Sequence, residues 1–142
     1  LLRSLEFFAG FGDVELWEVV HRAQWRRRPF GHALIQRGTP GNRFHIIAQG
    51  QVEVHRDGQR VAQLGAGTSV GEMAYLAPSP DLRIHSADVV VSEPATTLSF
   101  TPELLESLSL GTRRLFDAAF IRVLVRRLHA AHEALAHPRR IL

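Results

Sequence analysis

The sequence predicts a mainly β domain with flanking helices, in the form of a small antiparallel barrel or jelly roll. Short segments rich in apolar and β-branched residues recur between Gln24 and Phe100, and glycines or turn residues separate them. Strands of this length at even spacing are typical of small antiparallel barrels. A longer segment with helical periodicity follows the strands.

The first 23 residues are predicted to form N-terminal helices. Apolar residues recur at helical spacing before Gly10, and a second helix is expected to begin at Asp13, a favourable N-cap residue. The apolar stripe of that helix ends near Ala23.

The strand region is predicted to span residues 24–100. Asp57-Gly58 is a strong hairpin signal between two of the strands. Ser92-Glu93-Pro94 is expected to end one strand before the next begins. The predicted strands are Gln24–Phe30, Ala33–Gln36, Arg43–Ala48, Gln51–Arg56, Gln59–Leu64, Ile84–Val91 and Ala95–Phe100.

Two C-terminal helices are predicted within residues 102–137. Thr101 is expected to be the N-cap of the first, with Pro102 at its first position, and Pro138 is expected to end the second. The second helix either packs its apolar stripe on the barrel or pairs with a second copy, as a homodimer through residues 113–136. The stripe consists of Leu115, Ala119, Phe120, Val123, Leu124, Leu128, Ala131 and Leu135.

Composition limits the classes of function. The absence of Cys excludes disulfides and thiolate metal sites, and is compatible with a cytoplasmic location. No apolar run approaches the roughly 20 residues of a membrane helix, so we expect no membrane contact. A net charge of +3 and the lack of a helix-turn-helix pattern after the last helix predict no nucleic acid contact.

The stretch from Gly65 to Val91 is the predicted functional region. Glu72–Leu76 is expected to form one helical turn, and Arg83 is expected to lead into a strand. A helix N-terminus beside a strand-borne Arg is typical of an anion site. Glu72 fits such a site if the ligand also offers a hydroxyl donor, as a ribose does, so the pattern indicates a nucleotide pocket.

Two motifs in this region resemble the phosphate-binding cassette of the cyclic nucleotide-binding domains found in catabolite activator protein and protein kinase A regulatory subunits. They are Val70-Gly71-Glu72-Met73-Ala74-Tyr75-Leu76 and Arg83-Ile84-His85-Ser86-Ala87. Gly38–Ile47 and Gly50–Val54 resemble further motifs of that family. The length of 142 residues predicts a single domain over residues 1–142. The resemblance spans about Phe7 to Leu108 and implies an eight-stranded antiparallel β-roll with N-terminal helices, a cassette at residues 70–87 and a long C-terminal helix.

The resemblance also implies roles for the cassette residues. Glu72 would accept a hydrogen bond from the ribose 2′-hydroxyl, and Arg83 would pair with the cyclic phosphate. Because Ile84 lacks the hydroxyl that helps the family recognise guanine, cyclic AMP is expected over cyclic GMP. The C-terminal helix would move on binding, within the regulatory part of a larger bacterial signalling protein such as a kinase. The expected ligand-binding residues are Gly71, Glu72, Met73, Ala74, Arg83, Ile84, His85 and Ser86.

An alternative is a degenerate domain that keeps the fold and acts as a ligand-free dimerisation or protein-interaction module. The loop at residues 77–82 is about two residues longer than is usual in the family, and His85 stands where the family has a small residue. No nucleophile with a partnered base is evident, so no catalytic residue and no cofactor are expected. His129, His132 and Glu133 are interpreted as a solvent-facing cluster, not as a metal site.

Overall fold

The computed structural model describes residues 2–136. Its helices are α1 (Asp13–Arg22), α2 (Glu72–Leu76), α3 (Pro102–Glu106) and α4 (Leu110–Ala136), with 3-10 turns at Leu2–Ser4, Glu6–Phe8 and Pro80–Leu82. Its strands are β1 (Gln24–Arg28), β2 (Ala33–Ile35), β3 (Phe44–Arg56), β4 (Gln59–Gly65), β5 (Ser69–Val70) and β6 (Asp88–Phe100). The predicted helix end at Pro138 lies outside the described residues.

The strands form one antiparallel sheet in the order β1-β6-β3-β4, with β2 paired to β6 and β5 paired to β3. This arrangement confirms the prediction of a mainly β fold of the roll type with N-terminal and C-terminal helices. Among residues 2–136, no helix is both long enough and apolar enough to cross a membrane.

The described residues form six strands, whereas the resemblance implied eight. Two pairs of predicted strands are each a single strand of 13 residues. The predicted strands Arg43–Ala48 and Gln51–Arg56 correspond to β3, and Ile84–Val91 and Ala95–Phe100 correspond to β6. β3 bends at Gly50, where φ is 88° and a Cβ would lie 2.3 Å from the carbonyl oxygen of Pro94. Pro94 lies in the facing bulge, where the pairing register shifts and a ladder N–H is not needed. The prediction that residues 92–94 end the strand was therefore wrong.

β6 also begins later than predicted. The sequence indicated a strand over Ile84–Val91, but β6 starts at Asp88. Backbone hydrogen bonds instead tie residues 83–85 to the turn at residues 38–41. Four residues therefore separate Arg83 from β6, so Arg83 does not lead directly into the strand as predicted.

Two hydrophobic cores lie on opposite faces of the sheet. The first packs the helices against the sheet and is rich in phenylalanine, and the second is aliphatic and fills the roll. The first includes Phe7, Phe8, Phe11, Phe44, Phe100, Phe116 and Phe120. The second includes Ile35, Ile47, Val52, Val70, Val89 and Val91.

Local sequence signals are largely confirmed. Asp57 and Gly58 have φ of 55° and 78°, as a tight hairpin between β3 and β4 requires. Thr101 caps α3 by accepting a hydrogen bond from the backbone N–H of Leu104 at 3.2 Å. The cap of α1 is Gly12, not the predicted Asp13, because Asp13 is already helical.

The predicted apolar stripe of α4 divides between two faces of the helix. Ala119 and Phe120 of the stripe are buried in the phenylalanine core together with Phe116, which was not part of the predicted stripe, whereas Leu128 and Leu135 are exposed. The exposed residues belong to a second series whose members are four, three and seven residues apart. We call this series, Ile121, Val125, Leu128 and Leu135, the outer stripe.

Candidate ligand-binding site

A cavity of about 830 Å³ opens on the concave side of the roll. Its volume falls in the range of roughly 300–1,000 Å³ that is usual for small-molecule pockets. The aliphatic core forms its floor through Ile35, Val70 and Val89, and α4 contributes Leu124 and Arg127 at its edge. The cavity therefore combines an apolar interior with a small number of polar groups.

The turn at Gly71 positions α2 along this cavity. Gly71 has a φ of 85°, and a Cβ there would lie 3.0 Å from Cδ1 of Ile35 and 3.3 Å from the carbonyl oxygen of Arg43. A side chain at this position would be both strained and crowded. Gly41 is constrained by crowding alone, because its Cβ would lie 2.3 Å from that of Ala74 in α2.

Glu72, the first residue of α2, has a buried carboxylate with only 1% of the side chain exposed. Its Oε1 accepts a hydrogen bond from the Ser69 hydroxyl at 2.6 Å, and its Oε2 accepts one from the backbone N–H of Met73 at 3.1 Å. Buried carboxylates need such partners because desolvation of an unpaired charge is costly.

Arg127 of α4 supplies the charge that balances Glu72. One guanidinium nitrogen lies 2.7 Å from Oε2 of Glu72, and the other donates to the backbone carbonyl of Ser69 at 2.9 Å. This contact joins α4 directly to the cavity wall. The sequence analysis did not identify Arg127, although it follows Leu124 by three residues and therefore shares a helix face with it.

Arg83 does not take the expected position. Its Nε donates to the backbone carbonyl of Ala77 at 2.8 Å, inside the loop that follows α2. Among the described residues, those that line the cavity include its neighbours Ile84, His85 and Ser86 but not Arg83 itself. The guanidinium is thus held by the loop that follows α2.

His85 faces the cavity beside Gly71. Its Cε1 lies 3.4 Å from the point that a Cβ on Gly71 would occupy. Burial lowers the pKa of His85 below its ordinary value, which favours the neutral imidazole at neutral pH. Other charged groups on the cavity rim are Arg56 and Asp81.

The structure brings together seven of the eight residues expected from the sequence, because all except Arg83 line the same cavity. The roll, the glycine turn and the buried carboxylate at its edge are those of a ligand-binding regulatory domain. A family model described as "Cyclic nucleotide-binding domain" matches residues 25–110. The chain belongs to this family.

Relatives at similar identity differ in the nucleotide that their names specify. The chain is 32% identical over 71 residues to a cGMP-dependent protein kinase from Caenorhabditis briggsae, covering 50% of this chain and 10% of the kinase. It is 32% identical over 92 residues to a cAMP-dependent protein kinase regulatory subunit from Yarrowia lipolytica, covering 65% of this chain and 24% of the subunit. The chain therefore spans a quarter or less of these relatives.

Among solved structures, the catabolite activator protein of Thermus thermophilus has a TM-score of 0.77 to this chain at 28% identity. The similarity covers 92% of this chain and 62% of that protein. It extends beyond the residues of the family match and includes parts of the flanking helices.

Proposed function

We propose that this domain binds a cyclic nucleotide in the cavity and transmits binding through α4. The observation that carries the proposal is the buried carboxylate of Glu72, which lies at the cavity wall and is bonded directly to α4 through Arg127. A carboxylate at this place in the family fold suits a ribose hydroxyl, which donates a hydrogen bond to it.

The proposed mechanism depends on competition for Glu72. Ser69, Met73 and Arg127 already donate to its carboxylate. These donors leave one of the four lone-pair positions of the carboxylate, on Oε1, so a ribose hydroxyl either takes that position or displaces a present donor such as Arg127. Displacement of Arg127 alters the free energy of holding the second half of α4 against the roll, and only such differential affinity can shift its position.

The remaining cavity residues have roles in the same proposal. Residues 71–74, Ile84 and Ser86 all line the cavity, and the backbone groups of residues 71–74 are proposed to contact the cyclic phosphate. Arg83 would reach the phosphate only after its guanidinium leaves the carbonyl of Ala77. A cytoplasmic location is part of this proposal, because cyclic nucleotide messengers are made and read in the cytoplasm.

Calorimetric titration with cyclic AMP tests the proposal. Wild-type protein should bind, and at about 100 times the dissociation constant the ligand should add about 2.7 kcal/mol to the free energy of unfolding. Glu72→Gln should weaken binding, whereas Glu93→Gln, on an exposed part of β6, should not. Absence of binding by wild-type protein would contradict the proposal.

Nucleotide selection is proposed to favour cyclic AMP over cyclic GMP. Ile84 lines the cavity and offers no hydroxyl to the guanine amino group. An unpaired polar group costs on the order of 1–3 kcal/mol, so a preference of roughly 5- to 150-fold is expected. Ile84→Thr should narrow the difference measured with both nucleotides, and an unchanged ratio would show that Ile84 does not set it.

We also propose that the domain pairs with a second copy through the outer stripe and is the regulatory part of a larger signalling protein. Exposed apolar side chains that are four, three and seven residues apart share one helix face, which is suited to pairing with another helix.

A second candidate function is the ligand-free interaction module. Two observations favour it. Arg127 pairs with the buried carboxylate of Glu72, and the guanidinium of Arg83 bonds within its own loop. Such a module would dimerise through α4 and give no heat with either nucleotide.

A further inference from the structure

We infer that the free edge of β1 is a docking site for a partner protein, and that it pairs with an extended segment of that partner rich in acidic residues. The site is separate from the nucleotide cavity, because none of the residues of β1 lines that cavity. The inference goes beyond the proposed function and does not depend on it.

β1 is an outermost strand of the sheet. It pairs with β6 along Gln24–Arg28, and in the described part of the chain it pairs with no other strand. One side of its backbone therefore carries N–H and C=O groups that lack a strand partner. Addition of a strand to such an edge is a common mode of peptide recognition, in which backbone hydrogen bonds supply affinity and side chains supply specificity.

The side chains of this edge are strongly basic. Arg26, Arg27 and Arg28 follow one another, and the first two are exposed. None of the three forms an ion pair with any residue in the range 2–136. The residues of β6 that pair with them, at positions 95–97, are uncharged. The edge thus presents positive charge without a counter-charge of its own.

A fourth arginine reinforces this excess of charge. The pKa of Arg28 is lowered by burial and by the charges of Arg26 and Arg43, so three guanidiniums lie within electrostatic range of one another. The side chain of Arg28 is held in place by Thr97, whose hydroxyl accepts a hydrogen bond from its Nε at 3.2 Å. An acidic partner would offset the repulsion among these like charges.

The arrangement of the arginines favours a protein strand over other anionic partners. Alternate residues of a strand point to opposite faces, so Arg26 and Arg28 share one face and Arg27 lies on the other. An added strand alternates its side chains in the same way and can pair with both faces. A nucleic acid backbone would reach the arginines of one face only. A second copy of this chain is unsuitable, since pairing β1 with itself would place arginines beside arginines.

An exposed aromatic ring and a cleft lie beside these arginines. Phe30, two residues after the end of β1, is 73% exposed. Arg27 and Pro29 line a cleft of about 280 Å³ together with Gln49 and Thr96, and no described residue that lines it is acidic. Aromatic residues and Arg are enriched in protein interfaces. We therefore expect the acidic segment to carry apolar residues next to its carboxylates.

The test is fluorescence anisotropy with a labelled peptide of about ten residues, made of valine and threonine with three consecutive glutamates at its centre. Because β1 has five residues, the interface is small, and a dissociation constant in the micromolar range is expected. Binding should weaken as the salt concentration rises.

Two changes to the peptide test the inference without any protein variant. Replacing the glutamates with glutamines should abolish binding, because the charge is lost. Placing two adjacent prolines beside the glutamates should also abolish it, although the charge remains. Adjacent residues of a strand direct their N–H groups to opposite sides, so one proline of the pair always removes a hydrogen bond to β1.

Paired arginine variants test the site on the protein. Arg26→Gln together with Arg27→Gln should weaken binding at least about fivefold, as the loss of two exposed ion pairs allows. Arg113→Gln together with Arg114→Gln is the matched control, since it removes the same charge from adjacent exposed residues of α4. The control pair should change the affinity by less than about twofold.

The aromatic contact and the backbone pairing have their own readouts. Phe30→Ala should weaken binding about threefold, whereas Val14→Ala, at a residue on α1 that is 75% exposed, should leave the affinity unchanged. Hydrogen exchange should show new amide protection within residues 24–28 when the peptide is bound.

Failure of wild-type protein to bind the glutamate peptide would overturn the inference, as would equal losses in the two arginine pairs. Equal affinity for the proline peptide would show that charge alone attracts it and that no strand is added. Tighter binding of an oligonucleotide of about ten thymidines than of the peptide would assign the edge to nucleic acid instead. These measurements contain no cyclic nucleotide, so their failure leaves the proposed function untouched.

Discussion

The two halves of α4 are attached to the domain by different physical means. In the first half, residues 110–120, Phe116 is 1% exposed and packs on Phe11 and Phe100 with ring centroids 5.4 and 5.1 Å away. In the second half, residues 121–136, Val123 packs against the same core and Leu124 lines the cavity, but arginines make the directional polar contacts. Arg122 donates to backbone carbonyls of the N-terminal turns, Arg126 pairs with Glu6, and Arg127 pairs with Glu72.

This difference indicates where the helix is able to respond to a ligand. Burial of apolar surface is non-directional and is lost only when the core opens. Hydrogen bonds and ion pairs depend on individual partners, and a ligand that offers another partner competes with them directly. The first half should therefore stay with the fold while the second half exchanges contacts at the cavity.

The largest expected effect is on the first half. Phe116→Ala should lower the free energy of unfolding by about 3–5 kcal/mol, because it removes a buried ring from the centre of the phenylalanine core. Ile121→Ala, on the outer stripe, should change it by less than about 0.5 kcal/mol. Denaturant titration measures both. Similar losses in the two variants would show that the halves are not attached differently.

An intermediate effect is expected at the Glu72–Arg127 contact. A double-mutant cycle with Glu72→Gln and Arg127→Gln should give an interaction energy of about 0.5–3 kcal/mol, as residues in one hydrogen-bond network do. Glu6 and Arg126 form the matched exposed pair, for which a cycle should give less than about 1 kcal/mol. Equal interaction energies in the two cycles would show that the buried Glu72–Arg127 pair is no more strongly coupled than the exposed Glu6–Arg126 pair.

The smallest effect on folding is expected on the outer stripe. Val125→Glu together with Leu128→Glu should leave the unfolding free energy of the monomer within about 0.5 kcal/mol, because both side chains are exposed. The same pair should convert a dimer to a monomer in sedimentation analysis, since charges are unfavourable in an apolar helix seam. A wild-type chain that is monomeric at high concentration would rule out pairing through this stripe.

Features that depend on adjacent residues were predictable from the sequence. The Asp57-Gly58 hairpin, the Thr101 cap and the one-turn helix after Gly71 each follow from backbone preferences of a few neighbouring residues. The extent of the strands was less predictable. Gly50 and Pro94 could each end a strand, or they could face each other in a bulge between two continuous strands. Their alignment across the sheet decides between these alternatives, and no local sequence pattern shows that alignment.

The polar contacts of the site were the least predictable. Glu72 and Arg127 are 55 residues apart in the sequence, and only the packing of α4 on the roll brings them together. Arg83 was assigned to the phosphate by its place in the cassette motif, and the sequence did not predict that its Nε donates to the carbonyl of Ala77. The sequence thus identified the residues of the cavity wall better than the hydrogen-bond partners of their charged neighbours.

Hydrogen exchange along α4, with and without saturating cyclic AMP, tests the central claim most directly. Amide protection reports local opening free energies segment by segment. The expected result is a change in residues 121–136 with little change in residues 110–120, and its loss in Arg127→Gln. An equal change along both halves, or no change in either half when calorimetry shows the ligand bound, would contradict the account.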